Sequence, residues 1–365
     1  MEQQHLLASA VEPLIAWFAQ HRRPLPWRDS PTPYHVWLSE VMLQQTRIET
    51  VLPYYHRFLE VCPTVAHLAA IDDDILMKLW QGLGYYSRAR NLKAAAIMIM
   101  ERYGGEFPAD YDALLSLPGV GAYTAGAIAS IAFSLPTPAV DGNVLRVITR
   151  LCGDHADITD EKVKRRIAEQ LRAVYPRSHR AGEMTQGLME LGQRVCIPNG
   201  TPHCGECPWG AFCQAHARGG IDCIPNRPPK KPRRIEKKTI LLLQRTDLDG
   251  VTRYALRKRG ENGLLAGLWE FPGIDGHLNR EQATEAICGL CGDVCVQAIC
   301  EAPHATHIFT HIEWHMIGYL AVCDVREGQQ PLVWASIEEI QRDYALPSAL
   351  RAYFAYLAHS PHQPQ

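Results

Sequence analysis

The chain has 365 residues, more than a single domain usually contains, so we expect two domains. Apolar residues make up 47% and charged residues 21%, which excludes a disordered chain and is typical of a globular protein. The formal net charge of -2 gives no overall attraction to nucleic acid, so basic patches have to be sought locally. The N-terminus lacks a signal-peptide pattern and no apolar run reaches about eighteen residues, which predicts a cytoplasmic protein without a membrane anchor.

The first predicted elements are helices. Apolar spacing predicts one helix over residues 9–21 and another from about Tyr34 to Gln45. Glu40 lies in the middle of the second helix with apolar neighbours at helical spacing, so its carboxylate cannot lie on a purely solvated face. Apolar surroundings raise the pKa of a carboxyl group, which suits a general acid. A solvated surface glutamate is an alternative that the pattern leaves equally open.

Two further helices are predicted on either side of a break at Gly82 and Gly84, and Tyr85 and Arg88 lie at this break. Aromatic rings interleaved with arginines on a glycine hinge suit stacking on bases and contact with phosphates. A core aromatic beside solvated arginines is the simpler interpretation, which the pattern alone favours. Because no strand-like alternation occurs before about residue 200, this part of the chain is predicted to be all helical.

A glycine-rich turn lies within residues 113–150. Pro118 ends one helix, and a tight turn precedes a second, small-residue helix that contains Tyr123. The turn itself consists of Gly119, Val120 and Gly121. The unpaired N–H groups at the start of the second helix, together with the helix dipole, predict a seat for a phosphate. Asp141 follows near the start of a third helix, a combination that many DNA-binding proteins could share.

Four cysteines follow within eighteen residues, among prolines and glycines, in the spacing C-x7-C-x2-C-x5-C. They are Cys196, Cys204, Cys207 and Cys213. A chain without secretory features is not expected to carry a disulfide framework, so this loop predicts a metal centre rather than chance proximity. Zinc usually takes two close pairs of ligands, and only one C-x2-C pair is present, whereas a compact four-cysteine loop also suits a four-iron cluster. The spacing alone leaves zinc and iron–sulfur open.

The composition changes after the cysteine loop. Residues 226–238 (NRPPKKPRRIEKK) predict a stiff extended linker, whose charge fits either phosphate contact or a solvated connector. A hairpin about a D-x-D-G turn, a strand-like stretch over 307–322 and a final strand, turn and helix predict an α+β domain. We expect a helical domain over 1–224, a linker over 225–238, the α+β domain over 239–355 and a tail over 356–365.

Seven motifs follow one another in order along the chain: LPWR (25–28), TPYHVWLSEVMLQQT (32–46), QGLGYYSRARNL (81–92), LPGVGAYTAGAIAS (117–130), VDGNVLRV (140–147), the cysteine loop and HIFTH (307–311). Together they resemble the adenine DNA glycosylases of the MutY type, in the helix-hairpin-helix superfamily that includes endonuclease III. The resemblance implies an all-α helix-hairpin-helix glycosylase domain with an iron–sulfur loop, followed by a Nudix-like α+β domain.

The resemblance also implies catalytic roles at matching positions. Glu40 matches the glutamate that protonates the extruded adenine at N7 and helps to organise the attacking water. Asp141 matches the aspartate that stabilises the oxocarbenium-like sugar, and Asn143 matches its polar partner. One carboxyl kept protonated and one ionised is the arrangement that glycosyl cleavage needs. Tyr123 occupies the place of the Schiff-base lysine of bifunctional relatives, which implies a monofunctional enzyme.

Recognition residues are implied in the same way. Gln45 and Tyr85 match residues inserted into the base stack near the lesion, which hold open the gap left by the extruded base. The adenine pocket is implied at Trp27, Arg28 and Leu43, with a further acidic position at Glu190. A loop that contacts 8-oxoguanine is implied at Phe309, Thr310 and His311, where threonine replaces the serine of the F-S-H pattern. The stretch after Gly273 lacks the glutamate-rich Nudix metal box, so nucleotide hydrolysis there is not expected.

The implied function is removal of adenine mispaired with 8-oxoguanine or guanine, by a monomer that binds double-stranded DNA, carries a [4Fe-4S] cluster and associates with the nucleoid in a bacterium. One departure concerns the cluster, because the family spacing is C-x6-C-x2-C-x5-C and this chain has one extra residue between Cys196 and Cys204. Two alternatives stay open: a bifunctional endonuclease III-like lyase that acts on oxidised pyrimidines, and a non-catalytic iron–sulfur DNA-binding protein.

Overall fold

The computed structural model describes residues 2–229, 232–291, 294–325 and 332–359. The chain divides into two compact units, Met1–Ala70 with Asn91–Lys230 and Ile71–Arg90 with Lys231–Gln365. Each unit contains buried apolar clusters of its own. Within the described ranges, every helix is too short or too polar to cross a membrane.

The described residues before 230 are helical, as the sequence predicted, apart from an isolated bridge between Asp157 and Asn226. The helices are α1 (Glu2–His21), α2 (Pro26–Asp29), α3 (Pro33–Leu43), α4 (Ile48–Val61), α5 (Val65–Ala70), α6 (Asp73–Trp80), α7 (Ser87–Tyr103), α8 (Tyr111–Leu115), α9 (Ala122–Ile131), α10 (Gly142–Cys152), α11 (Glu161–Arg172), α12 (Arg180–Arg194) and α13 (Gln214–Ala217).

The main core of the first unit forms where α1, α10, α11 and α12 pack together. Apolar residues at helical spacing, such as Leu14, Leu145 and Leu188, meet in one buried cluster. Burying a leucine side chain contributes about 1.5–3 kcal/mol, so this cluster fixes α10 and α12 against each other. The helix that begins next to Asp141 is therefore a rigid support.

The second unit is built around a mixed seven-stranded sheet of order β3-β2-β1-β6-β5, with β4 paired to β1 and β7 to β2. Its further elements are β1 (Arg234–Thr246), β2 (Thr252–Lys258), β3 (Trp269–Glu270), β4 (Gly273–Asp275), α14 (Arg280–Cys291), β5 (Val294–Ile308), β6 (Ile312–Val325), β7 (Val333–Ala335), α15 (Ile337–Asp343) and α16 (Arg351–His359). Strands β1 and β6 run parallel, and β5 and β6 run antiparallel.

The apolar run of β1 is buried on both faces of this sheet. Ile240 and Leu242 point into a cluster with residues of α16, whereas Leu241 and Leu243 point into a second cluster with residues of α14. Because successive side chains of a strand alternate between faces, a continuous apolar run requires helices on both sides.

Three boundaries differ from the sequence-based expectations. Strand β1 begins at Arg234, inside the predicted linker, because residues 234–238 pair with β6. The predicted single strand-like stretch is interrupted after Ile308 by a three-residue loop, residues 309–311, across which Phe309 N donates to Ile312 O. Helix α16 continues to His359, so only residues 360–365 of the predicted tail lie outside the described residues.

Candidate active site

Glu40 and Tyr123 meet through their side chains. Helix α3 begins after Thr32, which accepts a hydrogen bond from the backbone of His35, and this start places Glu40 on an inner turn. Glu40 is 6% exposed, and the Tyr123 hydroxyl donates to its Oε2 at 2.5 Å. Burial raises the pKa of Glu40 to about 7, against the lowering effect of the Tyr123 hydrogen bond. The carboxyl group is therefore buried rather than solvated, and it exchanges its proton near neutral pH.

Asp141 is the N-cap of α10. Its Oδ1 accepts the backbone N–H groups of Asn143 and Val144 at 2.9 and 2.8 Å, and its Oδ2 accepts Asn143 Nδ2 at 2.7 Å. Burial raises the pKa of Asp141, while these three hydrogen bonds and the nearby Arg146 act in the opposite direction. The negative charge of Asp141 in turn contributes to the raised pKa of Glu40.

The two carboxyl groups therefore differ in the support that they receive. Glu40 accepts one hydrogen bond, from a tyrosine, whereas Asp141 accepts three and lies at the positive end of a helix dipole. Hydrogen bonds to the ionised form favour that form. The pair can supply a proton from Glu40 and a carboxyl group held in a fixed orientation at Asp141.

A small cavity opens beside Glu40. Trp27, Arg28 and Leu43, which the resemblance assigned to a base pocket, line this cavity together with Glu40. Its wall also includes the apolar residues Leu25, Val36, Ile48, Ile131 and Met189. Apolar walls with a few convergent polar groups are typical of small-molecule binding sites.

Glu190 lies behind Arg28 and is fully buried. It accepts Arg28 Nη2 at 2.8 Å, and Arg23 binds both of its oxygens, with Nε at 2.6 Å and Nη2 at 3.0 Å. Although burial acts in the opposite direction, the hydrogen bonds from Arg23 and Arg28 hold the pKa of Glu190 below its usual range. Glu190 therefore fixes Arg28 in the cavity wall as an ionised partner. No pattern in the sequence points to Arg23, which lies 167 positions from Glu190 in the chain.

The glycine-rich turn precedes α9. Gly119 has φ +72°, and a Cβ there would approach Asn91 Cβ to 2.5 Å, so both the backbone conformation and the space require glycine. Val120 is buried, and Gly121 is the N-cap of α9. Among the described residues no side chain caps this helix, so its first N–H groups lack a side-chain acceptor.

The two residues assigned to insertion into the base stack share a backbone feature. Gln45 has φ 59° and Tyr85 has φ 48°, and the described residues contain only two other non-glycine positions with positive φ, at Ser134 and Leu265. Left-handed backbone at a non-glycine residue costs about 1–2 kcal/mol. Such strain recurs at ligand clamps, and Gln45 and Tyr85 are both exposed, Tyr85 to 47%.

In the second unit, Tyr85 contacts the loop between β5 and β6. Its hydroxyl and Thr310 Oγ1 lie 2.7 Å apart, as a hydrogen bond. The buried Arg88 fixes the backbone that precedes Tyr85, because its Nη2 donates to the carbonyls of Leu83 and Gly84 at 3.0 Å each. The Phe309 ring packs edge-on against Trp314, with centroids 5.0 Å apart. Tyr85, Phe309 and Thr310 therefore form one cluster, and His311 completes the loop.

All four cysteines of the loop line one cavity. Arg150 Nη1 donates to Cys196 Sγ at 3.4 Å, and a Cβ on Gly210 would approach the carbonyls of Cys204 and Cys207 to 2.9 and 3.4 Å. In the part of the chain that the structure describes, no three His, Cys, Asp or Glu side chains could hold a single metal ion. A donor set of four thiols around a shared space, backed by an arginine, fits a polynuclear cluster.

Helix α10 connects this cavity to Asp141. Asn143, which donates to Asp141, accepts Arg146 Nη2 at 3.0 Å, and Arg146 Nε donates to the Cys196 carbonyl at 2.8 Å. The same Nη2 also donates to the Gly192 carbonyl at 2.7 Å. Arg146 is 3% exposed. The one sequence signal for Arg146 is its position three residues after Asn143, which places both side chains on one face of a helix.

Comparison with known proteins is consistent with this geometry. Residues 38–173 match the HhH-GPD superfamily of base excision DNA repair proteins, and residues 241–356 match the NUDIX domain. The adenine DNA glycosylase of Rattus norvegicus is 33% identical over an alignment that covers 93% of this chain and 76% of that protein.

Two solved structures resemble the first part of the chain. A thermostable thymine-DNA glycosylase is 25% identical with a TM-score of 0.53 and covers 60% of this chain and 98% of its own. Endonuclease III in a non-covalent DNA complex is 25% identical with a TM-score of 0.51, and the match covers 59% of this chain and 97% of the endonuclease III chain. The resemblance inferred from the seven motifs is confirmed: the chain belongs to the adenine DNA glycosylase (MutY) family.

Proposed function

We propose that this protein is a monofunctional DNA glycosylase that hydrolyses the N-glycosidic bond of adenine mispaired with 8-oxoguanine or guanine in duplex DNA. The observation that carries the proposal is the pair of Glu40, with a pKa of about 7, and Asp141, held by three hydrogen bonds, in a chain of this family. Its substrate is genomic DNA, so we expect the protein to act at the nucleoid or in the nucleus. We also propose that it acts as a monomer.

In the proposed mechanism adenine leaves the duplex and enters the cavity lined by Trp27, Arg28 and Leu43. Glu40 transfers its proton to adenine N7. The C1′–N9 bond breaks, its electron pair remains on adenine, and the positive charge that develops on the sugar is stabilised by Asp141. The carboxylate left on Glu40 then accepts a proton from the water that attacks C1′.

The remaining DNA contacts are assigned by position. The N–H groups after Gly121, which no described side chain caps, are proposed to bind a DNA backbone phosphate. Gln45 and Tyr85, with their strained backbone, are proposed to fill the gap that the extruded adenine leaves in the base stack. Phe309, Thr310 and His311 are assigned to the base opposite adenine. The Tyr85–Thr310 hydrogen bond supports a shared role for these two side chains.

The pH dependence of the rate follows from Glu40. Its proton is lost as the pH rises through about 7, so adenine release under single-turnover conditions is expected to fall about tenfold per pH unit above this value. Tyr123→Phe removes the hydrogen bond that lowers the pKa of Glu40, so it should move the falling limb to higher pH. A wild-type rate that does not fall above neutral pH would exclude Glu40 as the general acid.

Tyr123 gives a prediction about strand cleavage. A phenol cannot form a Schiff base with the sugar, so borohydride should trap no covalent adduct between the wild-type protein and substrate DNA. Tyr123→Lys places an amine at this position and is expected to yield a trapped adduct. Efficient trapping by the wild-type protein would instead indicate a bifunctional, endonuclease III-like lyase.

The cysteine loop is assigned a [4Fe-4S] cluster held by Cys196, Cys204, Cys207 and Cys213. When bound, the cluster would supply cross-linking of the loop and a local charge. Purified protein is therefore expected to be yellow-brown, with about four iron atoms per chain. A colourless protein that contains zinc would overturn this assignment.

One assay tests the proposed activity as a whole. Base release is measured side by side from duplexes that contain A·8-oxoguanine, A·G and thymine glycol. Release of adenine from the first two and no release from the third is the expected result. Release from the thymine glycol duplex would favour the lyase, and release from none would favour a DNA-binding protein without catalytic activity.

A further inference from the structure

The basic segment before β1 contacts the loop formed by Phe309, Thr310 and His311. Arg233 Nε donates to the Phe309 carbonyl at 3.0 Å, and the backbone N–H of Arg234 donates to the His311 carbonyl at 3.1 Å. The carbonyls of two of the three loop residues are therefore held by consecutive residues of a segment whose composition predicts a linker.

The other contacts that stabilise this loop involve its side chains rather than its backbone carbonyls. The Phe309 ring packs against Trp314, whose Nε1 donates to Glu236 Oε2 at 2.9 Å, and the Thr310 hydroxyl bonds to Tyr85. These contacts fix two side chains. Arg233 is the described side chain that binds the backbone of Phe309.

Holding this carbonyl has a geometric consequence. The Phe309 C=O and the Thr310 N–H belong to one planar peptide unit, so a hydrogen bond to the oxygen also fixes the direction in which the N–H points. The residues of a short loop otherwise have several accessible peptide orientations. Arg233 therefore sets the orientation of the Thr310 N–H without touching any base.

We propose that Arg233 is a positioning residue that determines how well the protein distinguishes 8-oxoguanine from guanine opposite adenine. The inference rests on the proposed function and deepens it. With the Thr310 N–H held in one direction, the loop can favour one base opposite adenine. Without the Arg233 hydrogen bond the peptide plane can rotate, and the N–H then points in several directions. Arg233 should consequently affect selectivity more than affinity.

The competing explanation is that Arg233, which is exposed, only attracts DNA phosphates by its charge. Lys237 is a matched control, because it is an exposed cation four residues later, on β1, for which no contact with this loop is described. We therefore compare Arg233→Ala, Arg233→Lys and Lys237→Ala in the full chain. The measurements are kcat/KM for adenine release from A·8-oxoguanine and A·G duplexes, and the salt dependence of binding to each.

Arg233→Ala is expected to lower the ratio of kcat/KM for A·8-oxoguanine to kcat/KM for A·G about fivefold, which corresponds to the loss of one hydrogen bond. Lys237→Ala should leave this ratio unchanged. Arg233→Lys keeps the charge and loses the Nε donor, so it should retain the wild-type salt dependence with a lowered ratio.

An unchanged ratio in Arg233→Ala would overturn the inference. So would an equal fall of the ratio in Lys237→Ala, because the loss of a positive charge would then be sufficient to cause it. Failure of the proposed function gives a different result, since the wild-type protein would then release adenine from neither duplex.

Discussion

Glu40→Gln is expected to bind duplex DNA containing the mispair as well as the wild-type protein does and to release adenine about 10²–10⁴-fold more slowly. Glutamine keeps the shape of the side chain and can still accept the hydrogen bond from Tyr123, but it has no acidic proton for adenine N7. The measurement is single-turnover base release beside equilibrium binding to the same duplex.

The control for this variant is Glu60→Gln, which changes an exposed carboxylate on α4 and should leave both measurements unchanged. Normal turnover by Glu40→Gln would remove Glu40 from the mechanism. Loss of binding as well as turnover would indicate a role in forming the site rather than in proton transfer.

Folding is not expected to limit Glu40→Gln. In the folded protein the pKa of Glu40 lies near 7, above its ordinary value of 4.5, so above about pH 4.5 ionisation favours the unfolded chain. The stability associated with the neutral carboxyl is thus present at low pH and is lost as the pH rises toward 7. Because glutamine does not ionise, the variant should melt at or above the wild-type temperature at pH 8.

Arg146→Met is expected to impair adenine release and to destabilise the cysteine loop, although Arg146 lines neither the cavity beside Glu40 nor the one formed by the cysteines. The substitution leaves Asn143 Oδ1 and the carbonyls of Cys196 and Gly192 without this donor. Buried acceptors without partners cost about 1–3 kcal/mol each, so a fall in unfolding free energy of about 3 kcal/mol is expected.

The expected loss of activity has a separate cause. Asn143 donates to Asp141, and its orientation depends on Arg146, so a freed Asn143 no longer holds the carboxylate in place. Adenine release measured per bound iron should therefore fall as well. Arg165→Met on the exposed face of α11 is the control, and it should change neither iron content nor rate. An Arg146→Met protein with wild-type rate and iron content would show that the two sites are independent.

The local parts of the candidate site could be predicted from the sequence because each is encoded within a few residues. A helix beginning beside Asp141, the turn with left-handed Gly119 and the four-cysteine loop are local patterns, and the structure contains all three. The turn needs a glycine at Gly119 for reasons of backbone geometry and space, so its signal is strong. The D-x-D-G hairpin between β1 and β2 was predictable for a similar reason.

Only the tertiary structure decided how these parts are joined. Arg23 and Glu190 are 167 positions apart in the sequence, and Arg146 and Cys196 are 50 apart. Hydrophobic periodicity describes single helices and strands, so it cannot predict contacts between residues so far apart in sequence. The sequence also left the burial and protonation of Glu40 undecided, because a helical pattern shows which face of a helix a residue lies on but not which residues pack against that face. Burial and one tyrosine hydroxyl decided that the pKa of this carboxyl group lies near 7, since desolvation depends on atoms that the fold brings together.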